Sequence, residues 1–398
     1  MKVLIINSVC GIRSTGRICT DVAEALEAKG CEVKIAYGRE RASKESERFA
    51  VRIGSEFGVR LHGLKARLMD ADGLGSRFAT KRFLRWVKSF DPDVVHLNNL
   101  HGYYINVPML MKYLAKSGKK VVWTLHDTWA LTGHSGTCDY AGCERFETGC
   151  HHCPLTHGYP RSIVDRSARN YARKKKLFTA IKDLTIITPS DWLNGKVGRS
   201  YLKGKRIITV PNGVNTAVFK PAESDFKAQH GIADKMLIMG CASAWGKGKG
   251  LNDFVRLAEV LDDRFAIVMV GLTKEQIATM PQRIICVERT NSVQELARIY
   301  SAADLFVNLT YADVFSMVNR EALCTGTPVL TYTTGGSAEC INGKNGKAFA
   351  KGDLDAVIEY LSNTYCADSL DAGCLNDGDP CSKEDMANKY AEILQNKG

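Results

Sequence analysis

The feature that most constrains the fold is an alternation of short apolar segments with helical patterns, which runs along the chain twice. The apolar segments begin with KVLIIN at residues 2–7 in the first half and with MLIMGC at 236–241 in the second. Parallel strands joined by crossover helices produce this alternation. Because 398 residues exceed one typical compact domain and 45% of them are apolar, the sequence predicts two doubly wound α/β domains.

The order of the apolar segments predicts where the domains begin and end. We predict an N-terminal domain over residues 1–200, a C-terminal domain over 201–381 that opens with the strand in RIITVPNG, and a last helix within 382–398. Gly and Pro between 366 and 381 indicate a loop, and Ser382 with Asp385 resembles a capping box for the last helix. That helix could pack back across the domain junction.

Charge and hydropathy limit the classes of protein that fit. Residues 1–200 carry 33 Lys/Arg against 19 Asp/Glu, so the first half favours an anionic partner or simply has a basic solvated surface. We find no apolar run of 18 residues without charge, and the first apolar segment is too short for a signal peptide. We therefore expect a cytoplasmic protein.

One segment of the second half combines a strand end, a loop and a helix start. It reads LTYADVFSMVNREALCTGTPVLTYTTGGSAE over residues 309–339. The loop after a parallel strand is where α/β sheets bind ligands, and free N–H groups at a helix N-terminus bind phosphates. Glu321 inside the helix could accept hydrogen bonds from a ribose, and Asp313 in the loop could orient a sugar. Two such carboxylates are also compatible with a capping Asp and a solvated Glu.

Four segments, taken in order, resemble those of retaining GT-B glycosyltransferases of family 4. They are the turn ending at Gly16-Arg17, PNGVN at 211–215, the Gly240 to Lys249-Gly250 loop, and D-x7-E followed by ALCTGTPV and GGSAE. The middle of the chain resembles the subgroup that builds bacterial capsule, exopolysaccharide and colanic-acid-like polymers. The resemblance implies two Rossmann-like domains facing a cleft, the acceptor side being N-terminal and the donor side C-terminal.

The same resemblance implies roles for individual residues. Glu321 would hold the donor ribose, Asp313 would contact the donor sugar, and Gly16 and Arg17 would approach the phosphates from the other domain. His126 matches the active-site histidine of the family; we assign it no base role, because retaining transfer can proceed by front-face attack. Lys247 and Lys249 would neutralise the departing diphosphate, which would also be held by the main chain of Phe315, Ser316, Met317 and Val318.

Two departures from the family pattern concern the donor site. Asp313 stands where the family usually has Glu, and Ala244 stands where it often has Arg. Lys247 could substitute for that arginine but lacks its bidentate fork. The alternative interpretation of Lys247 and Lys249 is a solvated Gly/Lys turn, and that of His126 is a structural histidine.

Four cysteines lie within 16 residues. Cys138, Cys143, Cys150 and Cys153 form C-x4-C-x6-C-x2-C, and four thiolates can close a tetrahedral zinc site. We regard a structural zinc ion as one interpretation, with reduced free thiols or disulfides as alternatives. The resemblance implies no cofactor or metal for catalysis.

The segment 77–90, RFATKRFLRWVKSF, is basic and aromatic. Phe83, Trp86, Val87 and Phe90 fall on one helical face, which indicates either core packing or docking on an anionic membrane surface. Docking would place the protein at the inner face of the cell membrane, next to a lipid-linked acceptor.

The family resemblance, together with these observations, implies a retaining hexosyltransferase. We expect it to move a sugar from a nucleotide diphosphate donor, UDP by the family resemblance, to a lipid-linked surface-polysaccharide acceptor. A nucleotide-sugar epimerase of similar fold is the first alternative. A nucleic-acid-binding protein that uses the cysteine cluster is the second; we expect no nucleic-acid partner, because zinc-finger helix and aromatic RNA-binding motifs are missing from the sequence.

Overall fold

The chain divides into two compact units. The computed structural model describes residues 1–364, Leu370 and residues 382–396. The first unit comprises Met1–Pro211 and Lys383–Gly398, and the second comprises Asn212–Ser382. The expectation of two α/β domains is confirmed. The loop predicted over 366–381 lies outside the described residues, apart from Leu370.

A parallel sheet forms the centre of the first unit, with seven strands among its described residues in the order β3-β2-β1-β4-β5-β6-β7. Val3 to Ile6 of the interior strand β1 are fully buried, because helices cover both faces of a parallel sheet. The strands are β1 Lys2–Ile6, β2 Glu32–Tyr37, β3 Ala50–Arg52, β4 Val94–Leu97, β5 Lys120–Thr124, β6 Leu184–Thr188 and β7 Arg206–Thr209. The helices before the boundary are α1 Arg13–Ala28, α2 Glu56–Met69, α3 Arg77–Phe90, α4 Val107–Ser117, α5 Ser167–Thr179 and α6 Asp191–Arg199.

The boundary between the units lies after Pro211, not after residue 200 as predicted. The reason is the pairing of β7, whose residues Arg206 to Thr209 run alongside β6 in the first sheet. A short apolar strand has the same sequence pattern on either side of a domain boundary, so its sheet could not be assigned from sequence.

The last helix belongs to the first unit. After the second unit, the chain returns as α13, Lys383–Gln395, which packs on α1. Met386, Tyr390, Ala391 and Leu394 are buried in the same core cluster as Val22 and Leu26 of α1.

The second unit has its own parallel sheet, with six strands among its described residues in the order β10-β9-β8-β11-β12-β13. The strands are β8 Met236–Cys241, β9 Phe265–Val270, β10 Ile284–Val287, β11 Leu305–Asn308, β12 Val329–Tyr332 and β13 Gly346–Phe349. The helices are α7 Phe226–Gln229, α8 Leu251–Val260, α9 Lys274–Ile277, α10 Val293–Ala302, α11 Met317–Cys324 and α12 Leu354–Glu359.

Strand alternation in the second unit supplies apolar side chains to both faces of the sheet. Ile267 and Met269 of β9 join one core cluster, whereas Ala266 and Val268 join the other. Both faces are therefore apolar, as expected for a sheet covered by helices.

The aromatic face of α3 is packed inside the protein. Phe83, Val87 and Phe90 are buried, and half-buried Trp86 stacks on Phe83 and Phe90 with ring centroids 5.9 and 5.1 Å apart. Of the two interpretations of this face, the structure supports core packing. In the part of the chain that the structure describes, no helix is long and apolar enough to cross a membrane.

Candidate active site

The helix start predicted near residue 316 lies at the end of β11 in the second unit. α11 begins at Met317, with Ser316 as its N-cap residue. The Asn308 amide donates to Ser316 Oγ at 2.9 Å and to Asn319 Oδ1 at 2.8 Å, which ties the strand end to the first turn of the helix. The first N–H groups of a helix lack intrahelical acceptors. The main chain from Ser316 to Val318 therefore suits an anion, whereas the Phe315 N–H is directed to Asp313. A diphosphate contact for this main chain stays a prediction.

Asp313 contacts Lys249, which comes from a distant part of the sequence. Lys249 Nζ lies 3.0 Å from Asp313 Oδ2, and the Phe315 N–H donates to Asp313 Oδ1 at 3.3 Å. The Asp313 side chain is 19% exposed and that of Lys249 is 40% exposed, so both remain accessible to a ligand. Both residues were predicted to contact the donor, but their ion pair was not predicted.

The turn that carries Lys247 and Lys249 is held against the loop that carries Asp313. This 3-10 turn, Lys247–Lys249, follows β8, and the Tyr311 N–H donates to the Gly248 carbonyl at 3.0 Å. Gly250 closes the turn at φ +73°, where a Cβ atom would lie 2.4 Å from the Leu309 carbonyl oxygen. Glycine is required there by both backbone conformation and space.

Gly335 supports the backbone of Asp313 in a similar way. A Cβ atom on Gly335, which has φ +59°, would lie 1.5 Å from the Asp313 carbonyl oxygen. The Gly336 N–H donates to that same oxygen at 3.3 Å. The GGSAE motif therefore packs against the acidic loop, a role that its sequence pattern did not reveal.

Glu321 occupies the fifth position of α11 and is half-buried. The Tyr300 hydroxyl, which belongs to a fully buried residue, donates to Glu321 Oε2 at 3.4 Å. Burial and the negative charge of Glu321 raise the pKa of the Cys241 thiol to about 12, which keeps this thiol protonated beside the carboxylate. Tyr300 was missed, because it lies in a different helix and matched no motif.

In the first unit, His126 lies just after β5. Its Nε2 atom is 2.9 Å from Asn98 Oδ1, and Asn98 follows β4, the neighbouring strand. Burial lowers the pKa of His126 to about 4, so the imidazole is neutral at pH 7. A neutral imidazole that donates to Asn98 through Nε2 has Nδ1 as an acceptor.

His101 and Asp127 form a second pair at the same end of the first sheet. His101 Nε2 lies 2.7 Å from Asp127 Oδ2, although the ring N–H is not aligned for a hydrogen bond. Burial opposes the charge of both groups, but their mutual attraction outweighs it, so the pKa of His101 is raised and that of Asp127 is lowered. His126 was predicted as a site residue and His101 was not; the available signal was the HLNNLHGYY stretch, which begins at the end of β4.

Gly16 and Arg17 lie in a helix rather than at the end of a loop. α1 already begins at Arg13, and the buried Gly16 accepts a hydrogen bond from the Gly11 N–H at 3.2 Å. A Cβ atom on Gly16 would approach Val9 Cγ2 to 3.1 Å, so its small size serves close packing. Arg17 is exposed. A phosphate contact for these two residues stays a prediction.

The four clustered cysteines line one small cavity in the first unit, together with His134 and His151. All the described cysteines are free thiols, with Cys138 buried and the other three partly exposed. Within the described ranges, no three His, Cys, Asp or Glu side chains are grouped closely enough to hold a metal ion. Zinc binding would therefore require these side chains to move, and it stays a hypothesis.

Comparison with known proteins identifies the class of enzyme. The family described as Glycosyltransferase Family 4 matches residues 15–218, just over half of the chain, and that described as Glycosyl transferases group 1 matches 235–366. This chain is a family 4 glycosyltransferase. The prediction of a glycosyltransferase is confirmed, in preference to the epimerase and nucleic-acid-binding alternatives.

Two relatives of this glycosyltransferase match over most of its length. It is 25% identical over 344 residues to glycosyl transferase WcaC of Escherichia coli K12, which is named for colanic acid biosynthesis. This alignment covers 83% of this chain and 82% of WcaC. It is also 25% identical over 287 residues to a GDP-mannose-dependent alpha-mannosyltransferase of Mycobacterium tuberculosis, covering 71% and 67%. The first relative supports a role in polysaccharide biosynthesis.

Solved structures with the same architecture confirm the GT-B fold of the family 4 glycosyltransferase. A glycosyltransferase from Rickettsia africae has a TM-score of 0.66 at 16% identity, covering 100% of this chain and 99% of its own. Anabaena Alr3699/HepE in complex with UDP has a TM-score of 0.60 at 14% identity, covering 99% and 95%.

Proposed function

We propose that this enzyme transfers a sugar, with retention of anomeric configuration, from a UDP-sugar to a lipid-linked surface-polysaccharide acceptor. The observation that carries the proposal is the joining of Lys249, Asp313 and the start of α11 in one loop assembly of the second unit. Lys249 and the first amides of α11 suit a diphosphate, since both offer positive charge to phosphate oxygens. Glu321, in the same helix, suits the paired hydroxyls of a ribose.

The proposed chemistry needs charge stabilisation on the leaving side. The acceptor hydroxyl oxygen forms a bond to the anomeric carbon while the bond from that carbon to the diphosphate oxygen breaks. The bonding electrons leave with the nucleoside diphosphate, and the hydroxyl proton passes to the departing oxygen. Lys249 and the α11 amides stabilise the negative charge that develops there. This front-face route requires no protein base, so we assign no base role to His126.

In this proposal Asp313 orients the donor sugar. With Oδ2 on Lys249 and Oδ1 on the Phe315 N–H, its carboxylate is held in one orientation before a donor arrives. A donor phosphate would share Lys249 with Asp313. The polar groups His101, His126 and Asp127 at the strand ends of the first unit suit hydroxyl groups of an acceptor sugar.

The choice of base and acceptor draws on relatives. HepE binds UDP in the solved complex, which favours uridine, whereas the mycobacterial relative is named for GDP-mannose. WcaC is named for colanic acid biosynthesis, which favours a surface-polysaccharide acceptor.

A thermal-shift screen of UDP-, GDP-, dTDP- and ADP-sugars tests the donor. A UDP-sugar at a concentration 100 times its dissociation constant should stabilise the folded protein by about 2.7 kcal/mol. No shift with any of the four would contradict the proposal, and a shift with a GDP-sugar alone would correct the base. Retention is then read from the anomeric configuration of the product, which forms only when an acceptor is added.

A further inference from the structure

Helix α2 has its apolar stripe on the solvent side. Phe57, Leu61, Leu64 and Leu68 recur at spacings of four, three and four residues, which places them on one face of the helix. These side chains are 77, 58, 54 and 48% exposed, whereas the buried residues of α2 are His62 and Ala66, on the other face. A surface helix of a globular protein normally turns its apolar stripe to the core.

Further exposed apolar side chains extend this stripe into a patch. Met69 at the end of α2 is 40% exposed and Phe78 at the start of α3 is 81% exposed. Ile163, 65% exposed, is attached to the end of α2 by a hydrogen bond from its N–H to the Arg67 carbonyl at 2.9 Å. A groove of about 790 Å³ runs between α2 and α3. We call this surface the α2 patch; it comprises Phe57, Leu61, Leu64, Leu68, Met69, Phe78 and Ile163. Contiguous exposed apolar surface of this kind marks an interaction site.

The two helices that carry most of the α2 patch also carry a large excess of positive charge, and Lys65, Arg77 and Arg82 line the groove itself. Eight exposed Lys and Arg side chains lie in α2 and α3: Arg60, Lys65, Arg67, Arg77, Lys81, Arg82, Arg85 and Lys88. Among the residues that the structure describes, none of the eight has a carboxylate within ion-pair distance.

The nearby acidic groups do not cancel this charge. Glu56 is paired with Arg52, outside the set of eight. Asp70 is buried, and its carboxylate contacts the His134 ring and accepts a hydrogen bond from the Arg166 N–H. The carboxylate oxygens of Asp72 are buried as well. Apart from the attraction between Arg60 and Glu56 in the same helix, the cations therefore face solvent without partners of opposite sign in the described residues.

We propose that the α2 patch docks on an anionic phospholipid bilayer. The apolar stripe enters the boundary between headgroups and acyl chains, and the surrounding cations contact headgroup phosphates, the combination that holds an amphipathic helix in a membrane interface. A second copy of this chain fits the surface poorly, because a two-fold contact would bring two sets of eight like charges together. This proposal rests on the proposed function, because a lipid-linked acceptor presents its sugar at such a surface.

Flotation of the purified full-length chain with vesicles tests the proposal. The chain should float with phosphatidylcholine vesicles that contain phosphatidylglycerol, float less as salt is added, and stay in solution with phosphatidylcholine alone. The double variant Leu61→Ser with Leu64→Ser should lower the partition coefficient by about tenfold or more, since both side chains are exposed and bury only on docking. The matched control Val260→Ser with Val293→Ser changes two residues that are each 41% exposed in the second unit, and should bind like the wild type.

Three results would overturn the proposal: no flotation of the wild type at low salt, equal flotation of the Leu61/Leu64 variant, or a dimer in solution that the same variant dissociates. A donor-induced thermal shift is measured on the same preparations. A positive shift without flotation leaves glycosyl transfer standing and removes the docking surface. Flotation without a thermal shift leaves the docking surface standing and contradicts the proposed glycosyl transfer.

Discussion

At the scale of single residues, the candidate donor groups are oriented by contacts that the motifs did not predict. Asp313 is held by Lys249 and by a backbone N–H, and Glu321 by the hydroxyl of Tyr300. The family usually has glutamate at the position of Asp313, one methylene longer. The shorter side chain meets Lys249 at 3.0 Å, so this enzyme joins its acidic loop to its lysine turn before donor binding.

Glu321→Gln should weaken donor binding while leaving the fold intact. A hydrogen bond to a charged group contributes about 1.5–3 kcal/mol, so the dissociation constant of the donor should rise roughly 10- to 150-fold. Isothermal titration calorimetry measures the change. Glu259→Gln is the matched control, because Glu259 is an exposed residue of α8 that pairs with Arg256 at 3.3 Å. Equal affinities for Glu321→Gln and the wild type would remove Glu321 from the donor site.

At the scale of elements, hydrophobic periodicity predicted the strands and helices whose signals are local in the sequence. The apolar segments at residues 2–7 and 236–241 lie within a residue of β1 and β8, and the last helix predicted within 382–398 is α13, because these apolar patterns and end signals are local. β7 was assigned to the wrong domain, because pairing partners are not encoded locally.

Helix α2 was not predicted, for a different reason. Its stripe of Phe57, Leu61, Leu64 and Leu68 has helical spacing, and this signal could have predicted the helix. The spacing does not say which side faces the core. The face of α3 that includes Phe83 and Val87 has the same kind of pattern and is buried, whereas the α2 stripe is exposed. Burial depends on neighbouring elements, so sequence could not separate the two.

The cysteine-containing segment after β5 gives a prediction at this scale. If it binds structural zinc, the purified wild type should contain about one zinc ion per chain, and Cys150→Ser should lower that content, because a tetrahedral site loses a ligand. Elemental analysis measures both. Cys286→Ser, which changes a partly exposed thiol in β10, should keep the wild-type content. A metal-free wild type would support reduced free thiols.

At the scale of the whole molecule, the two units are unequal in their connectivity. The second unit is one continuous segment, whereas the first is completed by α13, which follows the second unit in sequence. Leu394 and Tyr390 of α13 are fully buried among residues of α1. The stability of the first unit therefore depends on residues that come from the far end of the described chain.

Leu394→Ala should reveal this dependence. Removing a buried leucine side chain costs about 2–5 kcal/mol, so the free energy of unfolding should fall by that amount in denaturant titration. Val260→Ala, on an exposed side chain of the second unit, should change it by less than about 0.5 kcal/mol. A Leu394 variant as stable as the control would mean that α13 contributes little to the first core.

The return of α13 also sets an order of events during translation. The ribosome delivers β1 to β7 first, then the whole of the second unit, and only then the helix that covers α1. Domains generally fold as units as they emerge. Here the unit that starts first is completed last. During the synthesis of residues 212–382, the part of α1 that α13 covers stays exposed, and a chaperone would bind there.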